Sequence, residues 1–437
     1  MRNEQMSYSN PLSKMLENIG AKEGSKLSID SKGKTYTGTL MPHHDFSDQD
    51  VVVIKLSSGY NIGIRVDGKT TIKVLEQPEP RPKKEAPAIS KKGLPNISLI
   101  GTGGTISSGE DNKTGALHPS LSASELVDSV PGLREIANIS SRSLFSLFSE
   151  NIGVEHWQKL AEAVAEEINK GADAVMILHG TDTMGYTASA LSFMLGDIPK
   201  PVVLVGAQRS PDRPSSDAPT NLLAAARFCV SGNTAGVYVI MHEGLGDDRF
   251  AVHIGTRVRK MHTTRRDAFK SMNVPPAAIV DEKGAIIFAT EGRKASAGKA
   301  VAKTKMERSV VLIHFYPGMD PSNYEEMITK SKGIVIAGTG LGHVSSEMVQ
   351  LIKKASDNGS VVAIASQCLS GTTNLNAYST GRDMQKAGAI SVKDMLPETA
   401  YVKLMWVLAN SKNAEEAKKL MTASLAEEMG DRRSADV

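Results

Sequence analysis

Two short, hydroxyl-rich stretches are the first places to look for chemistry. Thr102-Gly103-Gly104-Thr105 follows the apolar run Ile97–Ile100, and Gly180-Thr181-Asp182-Thr183 follows Val175–His179. Glycine lets backbone N–H groups approach a substrate closely. N–H groups that converge there can stabilise an oxyanion. A threonine hydroxyl is a weak nucleophile until a base or a cation activates it. Asp182 adjoins Thr181, and a lysine held near both would complete an activating pair. Such a cluster suits acyl transfer without a metal. Taken singly, the same threonines also read as caps of the helices that follow.

Nucleotide-like motifs are present but incomplete. Gly63–Thr70 (GIRVDGKT) fits Walker A spacing, yet the next segment, TTIKVLE, is strand-like and Asp67-Gly68 is a hairpin signal. A turn is therefore expected there. Gly180–Thr187 has the same spacing but carries Tyr186 where the lysine belongs. Gly101-Thr-Gly-Gly104 and Gly338-Thr-Gly-Leu-Gly342 both fail GxGxxG at the last glycine, so no dinucleotide site is expected. His43-His44-Asp45 could suggest a metal site, but adjacent strand residues face opposite ways, which favours a loop.

The positions of these loops depend on the elements around them. From Asn96 onward, apolar runs alternate with amphipathic helical patterns, the signature of a parallel α/β sheet. Reactive loops in such sheets lie at the carboxyl ends of the strands. TGGT, HGTDT, GAQRS and HEGLGDDR all fall there. The Ala/Lys/Gly-rich stretch from about Pro275 to Ser309 reads as a connection to a second α/β unit. That unit has strands in SVVLIHFYP, GIVIAGTGLGH and SVVAIASQC, and helices in VSSEMVQLIKKASDN, AYVKLMWVLAN and AEEAKKLMTASLAEEM. Residues 1–76 differ: short alternating runs of Val, Ile, Thr and Tyr broken by Lys-Gly, Asp-Gly and Ser-Gly predict a small all-β barrel or SH3-like domain, with a helical turn near Pro11–Ile19. Residues 77–95, with prolines at 78, 80, 82, 87 and 95, read as an extended linker.

Bulk properties narrow the class further. The chain has 437 residues, with 51 basic and 48 acidic side chains and a formal net charge of +3, so bulk attraction to nucleic acid or membrane is weak. Its apolar runs, such as Val237–Met241, are far too short to span a bilayer. The start, MRNEQMSYSNPL, has no apolar leader pattern. Cys229 and Cys368 make neither a disulfide framework nor a zinc quartet, which fits a reducing cytoplasm.

ISLIGTGGTI, LHGTDTM, PVVLVGAQR with SSDAPTNL, and RKMHTTRRDAFKSMN together resemble the bacterial-type L-asparaginase family, from about Asn96 to the C-terminus. That resemblance implies a two-domain α/β fold with parallel sheets, here 96–300 with the active site and 301–437. It implies side-chain amide hydrolysis with no metal or cofactor in this chain. It marks Thr105 as the primary nucleophile, Thr181 and Asp182 as the second threonine and its carboxylate, and Lys260 as the family lysine by its spacing to Phe269–Ser271. Ser149, in FSEN with Glu150, matches the serine that holds the substrate α-carboxylate; Asp182 would also meet the α-ammonium. Gly104 and Gly180 would line the same site. Three departures stand out. The lid Ser107–His118 has no tyrosine, His343 replaces the asparagine common in simple asparaginases, and NLNAYSTGRD lacks an evident acidic residue for a neighbouring subunit's pocket.

The N-terminal domain, the linker and the TGALHP and YSTGRDM signatures look like a narrower family, the D-subunits of archaeal glutamyl-tRNA(Gln) amidotransferases. This likeness implies a ligase complex of protein biosynthesis. The chain would release ammonia from glutamine or asparagine. A partner, the E-subunit of the amidotransferase, would bind most of Glu-tRNA(Gln) and use ATP and Mg to form Gln-tRNA(Gln). The family pairs a homodimer with two partner subunits as an α2β2 heterotetramer. The alternative is a stand-alone cytoplasmic L-asparaginase.

Overall fold

The computed structural model describes residues 10–41, 48–57, 61–77, 91–104, 106, 108–110, 117–119, 123–130, 132–211, 215–232, 234–289 and 292–430. Thr105, the His43-His44-Asp45 triplet and most of the Ser107–His118 lid lie outside the described residues.

Among the described residues of the N-terminal region five strands form one antiparallel sheet, in the order Asn61–Arg65, Val51–Leu56, Lys34–Leu40, Lys26–Ser31, Thr71–Glu76. Alternation explains its core: Leu27, Ile29, Val52, Ile54, Ile64 and Ile72 point to one side, where Leu12 and Leu16 of the helix Asn10–Asn18 cover them. Gly63 sits inside a strand, and Thr70 N–H donates to Asp67 O at 3.0 Å to close a turn into the next strand. With no helix after it, Gly63–Thr70 cannot cradle phosphate as a P-loop does.

Among the described residues the larger sheet has eight strands. In spatial order they are Ile286–Phe288, Ala278–Asp281, Arg249–Ile254, Gly236–His242, Pro201–Val205, Ala174–Leu178, Asn96–Gly103 and Asn138–Leu147. The last five are mutually parallel, as the sequence pattern predicts. The first three are antiparallel, so the sheet is mixed rather than parallel throughout. Part of the segment read as a connection, Pro275–Ser309, supplies the two edge strands. Their short runs AIVD and IIF carry too few residues for a periodicity signal. Along the central strands alternate residues feed opposite layers. Val175, Ile177, Val202 and Leu204 face the helices Val154–Asn169 and Met184–Leu195, while Met176, Leu178, Val203 and Val205 face Ala218–Cys229.

The second sheet is parallel: Val310–His314, Gly333–Gly338, Val361–Ser366 and Ile390–Ser391. Its Val335, Val361 and Ala363 join the same apolar cluster as Val175 and Leu191. Polar bonds reinforce that junction: Thr399 Oγ1 donates to Thr256 O at 2.9 Å, and Arg257 Nη1 meets Asp394 Oδ2 at 2.8 Å.

The helix Ala414–Met421 ends earlier than the pattern AEEAKKLMTASLAEEM suggests. A buried pair turns the chain back. Lys403 Nζ lies 2.6 Å from Glu428 Oε1, both side chains being fully buried. The ammonium also donates to Met421 O at 3.1 Å and to Ala423 O, and Glu428 accepts the Leu425 N–H at 2.9 Å. Burial holds the Lys403 amine below its ordinary range despite this partner. Lys403→Met would leave a buried, unpaired carboxylate and is expected to destabilise folding by about 3–5 kcal/mol. Urea titration checks this, and Lys403→Met/Glu428→Leu should recover most of the loss. A single variant as stable as the parent would contradict it.

Candidate active site

The site lies at the carboxyl ends of four neighbouring strands. Asn96–Gly103 delivers Gly104, Ala174–Leu178 delivers His179–Asp182, Pro201–Val205 delivers Gly206–Arg209, and Asn138–Leu147 leads into the 3-10 turn Ser149–Asn151. Backbone contacts fix these loops against each other. Gly104 N–H donates to Leu147 O at 3.0 Å, and Thr102 Oγ1 donates to Leu178 O at 2.7 Å. Thr183 Oγ1 donates to Ser149 O at 2.7 Å. Gly104 lies so close to Gly180 that any side chain there would overlap the Gly180 backbone. A Cβ on Gly180 would sit 2.7 Å from Ser149 Cβ. Gly104, Gly180 and buried Ser149 thus form one wall, and Glu150 follows Ser149 on the exposed side.

Thr181 is buried, with its hydroxyl between two partners. Lys260 Nζ donates to Thr181 Oγ1 at 2.8 Å and to Asp182 Oδ1 at 2.7 Å. On the other side, Thr181 Oγ1 donates to Gln208 Oε1 at 3.2 Å. The Lys260 side chain is only 13% exposed, whereas Asp182 is 70% exposed. The lysine is therefore committed to the pair, and the carboxylate opens to solvent. Lys260 arrives on a hairpin, Val258–Lys260 against Phe269–Ser271. His179 is fully buried, and burial pushes its imidazole down to about 4. Its Nδ1 bonds the Gly180 carbonyl at 2.7 Å as a neutral ring would.

The sequence brings Thr181, Asp182 and Lys260 together across 78 and 79 positions, and the structure makes that contact directly. It also shows residues that motif reading passes over. Buried Asp217 accepts the N–H groups of Gln208 at 3.0 Å and Arg209 at 2.9 Å, which shapes the loop that reaches Thr181. The available signal was GAQRS followed by SSDAPTNL, a buried carboxylate at a helix start facing a strand-end loop. In the second unit the His343 and Tyr378 rings meet edge-on, with centroids 5.1 Å apart.

A lysine held between a buried threonine and an adjacent aspartate, on a glycine wall, is an arrangement that can activate a hydroxyl as a nucleophile. Residues 96–292 match the asparaginase N-terminal family, 309–421 the glutaminase/asparaginase C-terminal domain, and 21–75 the GatD N-terminal domain. Over 404 residues the chain is 49% identical to the glutamyl-tRNA(Gln) amidotransferase D-subunit of Pyrococcus furiosus, covering 92% of each chain. The chain belongs to the glutamyl-tRNA(Gln) amidotransferase D-subunit family. The D-subunit of Thermofilum pendens is 42% identical over 440 residues, 98% of each chain. Among solved structures, the thermostable L-asparaginase from Thermococcus kodakarensis superposes with a TM-score of 0.69 at 32% identity, covering 77% of this chain and 100% of its own. The D-subunit family resemblance and the asparaginase-type fold read from the sequence are thus borne out. Among the described residues no helix is long and apolar enough to cross a membrane. No group of three or more His, Cys, Asp or Glu among them could hold a metal ion.

Proposed function

We propose that this D-subunit family member releases ammonia from glutamine, or from asparagine, at the Thr181–Asp182–Lys260 cluster. It supplies that ammonia to the E-subunit, which uses ATP and Mg to convert Glu-tRNA(Gln) into Gln-tRNA(Gln). Residues 1–76 form the family-specific module, 77–95 the linker, 96–300 the catalytic domain and 301–437 its companion. The assembly is a cytoplasmic α2β2 complex, with the tRNA held mainly by the E-subunit.

One observation carries the reading: Lys260 Nζ lies within 2.8 Å of Thr181 Oγ1 while paired to Asp182. In its free-amine form Lys260 can take the Thr181 proton, and Asp182 stabilises the ammonium that results. Either Thr181, its proton held by Lys260, or Thr105, giving its own proton up to the deprotonated Thr181 oxygen, attacks the amide carbon, forming a C–O bond. N–H groups of the Gly180 turn hold the oxyanion, the Gly104 N–H being committed to Leu147 O. The proton passes to the leaving nitrogen, the C–N bond breaks and ammonia departs. Water then hydrolyses the acyl-enzyme and restores the threonine. Ser149 and Glu150 face the amino acid end of the substrate, and exposed Asp182 also meets its α-ammonium.

Co-expression with the E-subunit tests this. Gln-tRNA(Gln) formation that requires both glutamine and ATP is expected. Unchanged, high asparaginase turnover without the partner, and no Gln-tRNA(Gln) with it, would overturn the assignment in favour of a stand-alone asparaginase.

A further inference from the structure

A buried histidine outside the reacting groups joins the two sides of the site. His242 ends the strand Gly236–His242 and is fully buried. Its Nδ1 lies 2.7 Å from Asn221 Oδ1, and its Nε2 lies 2.9 Å from Asp247 Oδ1. The Asn221 amide is oriented by its own donations, to Gly206 O at 3.1 Å and Asp217 Oδ2 at 3.2 Å. Its Oδ1 is therefore the atom that faces His242 Nδ1.

From Asn221 the bonds run toward Thr181. Gly206 O is held directly, Asp217 holds the Gln208 N–H, and Gln208 Oε1 accepts the Thr181 hydroxyl. From Asp247 they run toward Lys260. Arg266 Nη1 donates to Asp247 Oδ1 at 2.9 Å, and Arg266 Nη2 donates to Ser215 O. Arg266 lies in the turn of the Lys260 hairpin, and Lys270, on its return strand, donates to Glu243 O at 2.9 Å. The two arms close a circuit whose meeting point is Thr181 Oγ1.

We propose that His242, Asp247 and Arg266 are positioning residues. They lock the Lys260 hairpin to the Gly206–Arg209 loop, so that Lys260 Nζ and Gln208 Oε1 reach Thr181 from opposite sides. The charged groups facing the strut are Asp247 and Arg266 on its outer side and Asp217 beyond Asn221, with the Phe250 ring packed edge-on at 4.7 Å. This inference rests on the amide-cleaving reading of the Thr181 cluster.

The test uses the outer members, because truncating fully buried His242 threatens folding itself. Asp247 is 55% exposed and Arg266 21% exposed, so Asp247→Ala and Arg266→Ala remove no core packing, although Asp247→Ala takes the acceptor from buried His242 Nε2; thermal melts check that both variants stay folded. In the full chain assembled with its partner, each should lower kcat for ammonia release from glutamine by about ten- to a hundred-fold with KM nearly unchanged. Because both act through one circuit, the double variant should be no slower than the slower single. Parental kcat in either variant, a change in KM alone, or losses that multiply would overturn the proposal. Lys260→Met runs beside them. If it keeps its turnover, the amide-cleaving reading itself fails; if it is inactive while Asp247→Ala turns over normally, only the positioning role fails.

Discussion

Lys260→Met is expected to cut kcat for ammonia release by about 10²–10⁴-fold, the range of a lost general acid–base group. Methionine keeps the length and apolar stem of the lysine but carries no proton. The loss should fall on kcat rather than KM. Lys260 is largely covered, bonded to Thr181 Oγ1 and Asp182 Oδ1, and the more exposed Asp182 is what a substrate ammonium would meet. Lys260→Arg separates two roles of the cation. Arginine keeps the charge beside Asp182 but cannot give up its proton at working pH. Lys260→Arg should therefore be nearly as slow as Lys260→Met. Steady-state ammonia assays on both variants check this, and an arginine variant within a few-fold of the parent would mean the lysine supplies charge alone.

The second large effect concerns backbone. Gly104 has a φ of +81°, a left-handed conformation that side chains rarely adopt. Its missing Cβ would overlap the Gly180 backbone and lie 3.1 Å from the His179 carbonyl carbon. Gly180 immediately precedes Thr181, so Gly104→Ala must push the second hydroxyl away from Lys260. Turnover is expected to fall by about 10²-fold or more, since a displacement near 1 Å is enough to cost that much. Left-handed strain adds a stability loss of order 1–3 kcal/mol. Gly171→Ala provides the control: its φ is +103°, with nothing within 4 Å of the added methyl. It should lose stability but keep kcat. Kinetics and thermal melts on the pair settle the matter, and parental turnover in Gly104→Ala would contradict the wall described here.

Much of this site was legible in the sequence because strand-end loops advertise themselves. Buried apolar strands followed by TGGT, HGTDT and GAQRS place their loops on one rim of a parallel sheet whatever the helices between them do. Lys260 was not legible in that way. Its segment RVRKMHTTRR looks like a solvated charge run, and only its spacing within a family resemblance singled it out. What sequence could not supply was the set of long-range polar bonds. Asp217, Asn221 and His242 are buried polar groups that satisfy one another across the chain, and no local periodicity encodes such pairings. The same holds at the C-terminus. The Lys403–Glu428 pair ends a helix that amphipathic patterning would have extended. The two edge strands after Ala277 were missed for a different reason: a three- or four-residue strand at a sheet edge has too little alternation to read.

The most direct test of the central claim separates ammonia production from ammonia use. A complex of Thr181→Ala with the E-subunit should fail to form Gln-tRNA(Gln) from glutamine and ATP. It should form it at the parental rate when ammonium chloride replaces glutamine. If the variant complex still draws on glutamine, Thr181 is not part of the amide-cleaving centre; if ammonium fails to restore the product, this chain does more than supply nitrogen.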